Sequence, residues 1–177
     1  MLGNDDFIDE EFQIMNEQDT EAVLSSSSFE ESISALPLKK AITFNEECSV
    51  SEVVNMMQEK NIGSVILTKD DKVTGIFTER DVLMKIINKK IDFTIKPVKE
   101  FMTKSPQCLR KEDMIAYVLN NMHVGGYRHI PIVDKDHKPE SMVSIKDILS
   151  YIFDHFPNEI SHQTGEPFRG EKGREGA

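Results

Sequence analysis

The sequence is poor in cysteine and lacks tryptophan: its 177 residues include only Cys48 and Cys108. Two isolated cysteines without a CxxC pair exclude a disulfide framework and a cysteine-based metal site. The sequence also lacks an apolar run near the roughly 20 residues that cross a bilayer. Its first ten residues, MLGNDDFIDE, carry no Lys or Arg, whereas a signal peptide begins with basic residues. We therefore expect a cytoplasmic protein without a membrane partner.

Basic residues are missing from one end of the chain. Residues 1–34 contain ten acidic residues and no Lys or Arg, so they account for the formal net charge of −10. Residues 36–160 contain 18 acidic and 18 basic residues and are neutral as a whole. Nucleic-acid binding requires clustered Lys and Arg to contact the phosphate backbone. We therefore expect no nucleic-acid partner.

Both ends of the chain have the composition of disordered tails. Residues 1–34 combine high charge with few large apolar side chains, so burial cannot offset the chain entropy. The apolar side chains among residues 7–15 leave open that this acidic tail folds on a protein partner. Residues 161–177 carry Gly and Pro without periodicity, which predicts a second disordered tail.

Between the tails, the chain repeats one pattern of elements. In the first half, apolar residues recur with helical spacing over residues 50–57, and Ser49 and Glu52 at its start have capping-box spacing. The segments SVILT and VTGIF are typical of strands, and a helix is expected from Thr78. The second half repeats this order 65 to 66 residues later, with helical spacing over 115–122, strands HIPIVD and ESMV, and a helix from Ser144. The pattern predicts an α+β fold, strand–helix–strand–strand–helix, present twice. Each half, of about 60 residues, would be marginal alone, so we expect the two halves to pack as an intramolecular pair.

The two halves share a short motif, Thr78-x-x-Asp81 and Ser144-x-x-Asp147. A hydroxyl followed three residues later by an acid can be a helix capping box, although Asp is shorter than the usual Glu and reaches the helix start less well. Each hydroxyl also directly follows a strand, and a helix N-terminus at a sheet edge suits a phosphate. A carboxylate one turn along can accept both hydroxyls of a ribose. The capping and the ligand-binding interpretations both remain open at this point.

Residues 36–156 resemble a tandem pair of CBS domains, also called a Bateman module. The resemblance rests on NIGSVILTKDDKVTGIFTERDVL in the first half, and on VKEFMT and GGYRHIPIVDKDHKPESMVSIKDIL in the second. It implies a first CBS domain at residues 36–96 and a second at 97–160. It also implies binding of an adenine nucleotide or S-adenosylmethionine between the halves, and assembly into a homodimer.

The resemblance implies roles for individual residues. The hydroxyls of Thr78 and Ser144 would lie near the phosphates or ribose, and Asp81 and Asp147 would hold the ribose hydroxyls. The strand residues entering the cleft would be Gly63, Ser64, Val65, Arg128, His129 and Ile130, and the short strand opening each half would frame the adenine with Ile42, Thr43, Gln107 and Cys108. Because residues 63–64 offer no positive charge, the phosphate charge of the first half would come from Arg80, Lys146 or the other half.

Two features qualify the resemblance. The second half has Ser141 where Gly is typical, in contrast to Gly75 of the first half, which permits close approach of a backbone or ligand. Arg128 and His129 belong to the second half, and we expect its site, with Asp147, to bind phosphorylated ligands more tightly.

We predict a non-catalytic regulatory sensor of AMP, ADP, ATP or S-adenosylmethionine, without cofactor or metal, that signals to an unidentified protein partner. The five histidines show no metal-ligand spacing, and no convincing catalytic set is present. The alternative is a structural dimerisation module that has lost its ligand. The presence of both Asp81 and Asp147 favours the sensor, and Ser141 favours the alternative.

Overall fold

The computed structural model describes residues 29–87 and 92–155. The predicted tail at 161–177, and residues 1–28 of the acidic tail, lie outside the described residues. Within the described ranges, no helix has the length and apolar character needed to cross a membrane.

The larger sheet has four strands in the order β1-β2-β3-β4, of which the first three belong to the first half of the repeat. Its strands are β1 (Thr43–Asn45), β2 (Ser64–Lys69), β3 (Lys72–Thr78) and β4 (Thr103–Lys104). Strand β1 runs parallel to β2, whereas β2–β3 and β3–β4 are antiparallel. The turn between β2 and β3 contains Asp70 and Asp71, both at positive φ, which short polar side chains tolerate.

Helix α1 (Val50–Lys60) connects β1 to β2 and packs on the sheet. Ser49 and Glu52 form the predicted capping box, in which the Glu52 carboxylate accepts from Ser49 N at 2.9 Å. The helical stripe Val50, Val53 and Met57 is buried in one core cluster with residues of β2 and β3. The periodicity in the sequence therefore predicted this face correctly.

The second half repeats the arrangement with a smaller sheet. Helix α3 (Ile115–Gly125) is followed by the antiparallel strands β5 (His129–Val133) and β6 (Pro139–Ser144), and by helix α4 (Ile145–His155). The short opening strand expected around Gln107 and Cys108 is reduced to one parallel bridge, between Leu109 and Ile132.

The helix that follows β3 departs from the expected regular helix. It consists of a three-residue α-helical segment, α2 (Glu79–Asp81), and a five-residue π-helical turn, Val82–Ile86, closed by a hydrogen bond from Ile87 N to Val82 O at 3.0 Å. Ile86 is buried, but Leu83 and Ile87 are exposed. The apolar spacing alone did not indicate this wider turn.

Part of the segment assigned to the acidic tail belongs to the fold. Residues Ile33–Ala35 form a 3-10 helix, and Ile33 is completely buried. Ile33 N donates to Asp113 O, and Ile115 N donates to Glu31 O, so this segment is tied to the start of α3. A single large apolar residue with these backbone hydrogen bonds suffices to attach an otherwise polar stretch.

The chain divides into two compact units, and residues 26–150 form the one that contains both sheets. The other unit combines residues 1–25 with 151–177, of which the structure describes only the end of α4, residues 151–155. There the rings of Tyr151 and His155 lie 4.1 Å apart between centroids.

Candidate functional site

A cleft of about 720 Å³ lies within the unit formed by residues 26–150. Both halves of the repeat contribute to it. Its lining comprises Gly63, Ile76, Thr78, Glu79, Arg80 and Asp81 of the first half, together with Thr103, Ser105, Pro106, Gln107, Gly125, Gly126, Tyr127, Arg128 and His129. Seven residues singled out from the sequence are therefore brought together: Gly63, Thr78, Arg80, Asp81, Gln107, Arg128 and His129.

Thr78 and Asp81 form a complete capping box at one side of the cleft. Asp81 Oδ2 accepts from Thr78 N at 2.9 Å and from the Thr78 hydroxyl at 2.8 Å, and Asp81 N donates to Thr78 Oγ1 at 3.3 Å. The expectation that Asp reaches the helix start less well was wrong. The extended backbone of Thr78, with φ −131° and ψ 163°, brings its N–H within reach of the shorter acid.

The second carboxylate oxygen of Asp81 is also engaged. Lys85 Nζ lies 2.6 Å from Asp81 Oδ1, and Thr103 Oγ1 donates to the same oxygen at 3.4 Å. Lys85 additionally donates to Phe101 O at 2.7 Å and to Met102 O at 3.2 Å. Asp81 is only 5% exposed, and these donors replace the hydrogen bonds to water that its carboxylate loses on burial.

Ser144 and Asp147 form the same capping box, but the structure shows no counterpart of the Lys85 and Thr103 contacts among the described residues. Asp147 Oδ2 accepts from Ser144 N and from the Ser144 hydroxyl, each at 2.7 Å. Within residues 29–87 and 92–155, no hydrogen bond reaches Asp147 Oδ1. Neither residue lines the cleft, so the structure separates the two motifs that the sequence presents as equivalent.

Arg128 of the second half lies beside the Thr78–Asp81 motif of the first half. Arg128 Nη2 pairs with Glu79 Oε1 at 2.8 Å, at the start of α2, and both side chains are mostly exposed. Arg128 precedes β5, whose first residue, His129, pairs in register with Ser144. Arg128 and His129 were expected to serve a site with Asp147. Both line the cleft that contains Asp81, and the Asp147 carboxylate is near enough to His129 to oppose the lowering of its pKa.

His129 contributes little positive charge at neutral pH. Its burial lowers the pKa of the imidazole below its ordinary value, and the neighbouring Arg128 lowers it further. Arg80 is the other arginine of the lining, and its Nη1 makes a long hydrogen bond of 3.4 Å to Gly126 O. The two guanidinium groups are thus the cationic side chains through which the described lining can contact an anion.

The remaining sequence-predicted residues lie outside the lining. Ser64, Val65 and Ile130 are buried within β2 and β5. Ile42 precedes β1, Thr43 begins it, and Lys146 is exposed in the first turn of α4. Cys108 lies beside a smaller depression of about 410 Å³, and burial raises the pKa of its thiol to about 11.

Sequence reasoning missed several lining residues. Tyr127 donates its hydroxyl hydrogen to Gln107 Oε1 at 2.7 Å, and Glu79 pairs with Arg128. Both lie directly beside predicted residues, so the neighbours of the motif could have been included. Thr103 and Ser105 had no comparable signal, because β4 brings them to the cleft only through its pairing with β3.

Gly75 and Ser141 were interpreted by whether they allow a ligand to approach, but the structure shows that both positions are packed inside the protein. A Cβ at Gly75 would lie 2.3 Å from Met102 Sδ and 3.1 Å from Thr103 O, so the close approach there is made by the protein itself. Ser141 is 2% exposed, and its Oγ has no hydrogen-bond partner within the described residues.

Comparison with known proteins decides the family. The sequence model of the CBS domain matches this chain twice, at residues 33–88 and 98–154. The chain belongs to the CBS domain family. The resemblance drawn from the sequence is thereby confirmed, and so is the α+β fold of two tandem CBS domains.

Relatives of known sequence share this part of the chain. A CBS domain-containing protein of Arabidopsis thaliana, CBSCBSPB3, is 32% identical over 99 residues, 56% of this chain. The match spans only 18% of that longer protein. An uncharacterized 17.7 kDa protein of Acidianus ambivalens is 30% identical over 123 residues, which are 69% of this chain and 73% of the relative.

Solved CBS structures share the fold at lower identity. A CBS domain protein from Pyrobaculum aerophilum, complexed with AMP, matches with a TM-score of 0.63 and 19% identity, over 71% of this chain and 98% of its own. The CBS domain pair of protein MJ0100, in complex with 5-methylthioadenosine and S-adenosyl-L-methionine, matches with a TM-score of 0.61 and 21% identity, over 70% and 96%.

Proposed function

We propose that this tandem CBS pair, with domains at residues 36–96 and 97–160, is a regulatory sensor that binds an adenosine-type ligand and has no catalytic activity. The observation that carries the proposal is the cleft, which joins Thr78, Arg80 and Asp81 of the first CBS domain to Gln107, Arg128 and His129 of the second. A ligand that contacts both domains would stabilise one relation between them, and a partner would respond to that change.

The chemistry of the lining suits an adenosine ligand with an anionic group. Arg80 and Arg128 can make charge-assisted hydrogen bonds to a phosphate or carboxylate. The Asp81 carboxylate can accept hydrogen bonds from ribose hydroxyls at Oδ1. The hydrogen bond that Thr103 donates to this oxygen is long, at 3.4 Å, and is therefore easily replaced. Ile76 and Tyr127 offer apolar surface to a base.

The solved relatives support the ligand class. The Pyrobaculum aerophilum protein binds AMP, and the CBS pair of MJ0100 binds 5-methylthioadenosine and S-adenosyl-L-methionine. What these ligands share is the adenosine moiety, whereas their charged groups differ. We therefore propose an adenosine compound and leave AMP, ADP, ATP and S-adenosylmethionine as the candidates that binding measurements distinguish.

We further propose that the protein is a homodimer that signals to another protein, and we retain the cytoplasmic location predicted from the sequence. Leu83 and Leu149 support the dimer, because they occupy equivalent positions of the two repeats and both are exposed. Twofold contacts between copies are a common way to cover such residues. Analytical ultracentrifugation at micromolar concentration tests this, and a mass near the monomer's 20.2 kDa would contradict it.

One observation favours the alternative, a structural module without a ligand. Asp81 and Arg128 are already satisfied within the protein, by Lys85 and by Glu79. A thermal-shift screen with AMP, ADP, ATP, NAD and S-adenosylmethionine separates the two functions. A ligand at ~100 times its Kd stabilises the fold by about 2.7 kcal/mol, which is an upward shift of about 5–20 °C. The absence of a shift with every adenosine compound would support the structural module instead.

A further inference from the structure

Glu79 places a negative charge where a ligand phosphate would be expected. Its Oε1 pairs with Arg128 Nη2 at 2.8 Å, across the cleft from the first CBS domain to the second. Its Oε2 lies over Gly63, where an added Cβ would be 3.2 Å away. The equivalent position of the second repeat is Ile145, so this carboxylate belongs to the first motif alone.

The charges of the cleft nearly cancel. Glu79 neutralises Arg128, and Lys85 neutralises the buried Asp81. His129 is mostly neutral at pH 7, because burial and Arg128 lower its pKa. Among the described lining residues, Arg80 is then the cation without a carboxylate within ion-pair distance. A single uncompensated charge matches a ligand with little negative charge better than a triphosphate.

We infer that Glu79 determines the charge specificity of this cleft: its carboxylate competes with the ligand's phosphate for Arg128, so adenosine and AMP are favoured over ADP and ATP. This inference rests on the proposed function and names the ligand class of the same site. The competition is feasible because the Glu79–Arg128 pair is exposed by 61% and 66%, and such pairs are weak enough for a ligand to displace. The displaced carboxylate stays in the cleft and repels each further phosphate.

The test compares Glu79→Gln with the parent protein in calorimetric titrations of adenosine, AMP and ATP. The substitution keeps the shape of the side chain and removes its charge. We expect an unchanged Kd for adenosine, about threefold tighter binding of AMP and about tenfold tighter binding of ATP, since the repulsion grows with ligand charge. The gain should shrink when salt is added, because the groups are exposed.

Glu47→Gln is the matched control. Glu47 pairs with Lys99 at 2.6 Å, is similarly exposed, and does not line the cleft. It removes the same charge from the protein, so an equal gain with this variant would assign the effect to net charge and overturn the inference. In the Arg128→Ala background, Glu79→Gln should give a smaller gain for ATP, because the freed guanidinium is absent and only the removed repulsion remains.

The outcomes for the inference and for the proposed function are distinguishable. If the parent binds adenosine compounds but Glu79→Gln keeps the parent's ratio of ATP to adenosine affinity, only the role of Glu79 is overturned. If the parent binds none of the three compounds, the proposed function fails and this inference fails with it.

Discussion

Lys85 Nζ lies 2.6 Å from Asp81 Oδ1 and also contacts the main-chain oxygens of Phe101 and Met102. Lys85 thus connects a buried carboxylate of the first CBS domain to the beginning of the second CBS domain. The π-helical turn Val82–Ile86 contains Lys85 and follows Asp81 directly. The position equivalent to Lys85 in the second repeat is Tyr151, which has no positive charge, so the ion pair with the motif aspartate belongs to the first repeat.

Replacing Lys85 by Met should destabilise the protein by about 1–3 kcal/mol, because the buried Asp81 carboxylate loses its charged partner. The larger loss of stability that is typical of fully buried ion pairs is not expected, because the Lys85 side chain is 37% exposed. Urea unfolding measures the change. Lys96→Met is the matched control: its pair with Glu100, at 3.3 Å, is exposed on both sides and should cost at most ~0.5 kcal/mol. Equal costs for the two variants would contradict this assignment.

Gly75 and Ser141 provide a second comparison between the repeats. Gly75→Ala should cost about 1–3 kcal/mol, because its Cβ would meet Met102 and the backbone oxygen of Thr103. Ser141→Ala should be neutral or slightly stabilising, because it removes a buried hydroxyl that has no partner within the described residues. Urea unfolding measures both changes. If Ser141→Ala were the more damaging of the two, the packing described for these positions would be wrong.

Much of the fold could be predicted from the sequence because it depends on local patterns repeated twice. The stripe of Val50, Val53 and Met57 and the capping box of Ser49 require only neighbouring residues, and the structure confirms both. The pairing of the two halves was expected because a unit of about 60 residues is marginal alone.

The contacts of the site could not be predicted, because they depend on residues far apart in the chain. The sequence does not show that Arg128 reaches Glu79, 49 positions away, or that Lys85 reaches the main-chain oxygen of Phe101, 16 positions away. The hydrogen bond between Thr78 N and the Asp81 carboxylate was not expected, because it depends on the extended backbone conformation of Thr78.

The two motif aspartates should differ in a binding assay. Asp81 lines the cleft and Asp147 does not. Asp147→Ala should cost about 0.5–2 kcal/mol of stability through the lost hydrogen bonds at the helix start, and should leave the affinity of the cleft within about twofold. Asp81→Ala should weaken it by ~10–150-fold, on the assumption that the carboxylate accepts from the ribose. Calorimetry on the folded variants checks this, and loss of cleft binding in Asp147→Ala would contradict it.

His129 should make the stability depend on pH. Burial, followed by Arg128, lowers the pKa of His129 in the folded protein, whereas the unfolded chain keeps the ordinary value near 6.5. The unfolded state therefore binds more protons below this value, so the contribution of His129 is fully present above pH ~6.5 and decreases as the pH falls towards the lowered folded pKa. Urea unfolding between pH 5 and 8 measures the slope. His129→Gln should flatten it, and an unchanged slope would exclude His129 as the cause.

Calorimetric titration of AMP into the parent protein and into Arg128→Ala tests whether the cleft binds a phosphorylated adenosine ligand. We expect saturable binding to the parent, about 10–150-fold weaker binding to Arg128→Ala through the lost charge-assisted hydrogen bond, and an adenosine affinity that hardly changes. Arg110→Ala is the control, because Arg110 is exposed and lies outside the lining. No binding by the folded parent, or equal AMP affinity in the parent and Arg128→Ala, would contradict the claim that this cleft binds a phosphorylated adenosine ligand.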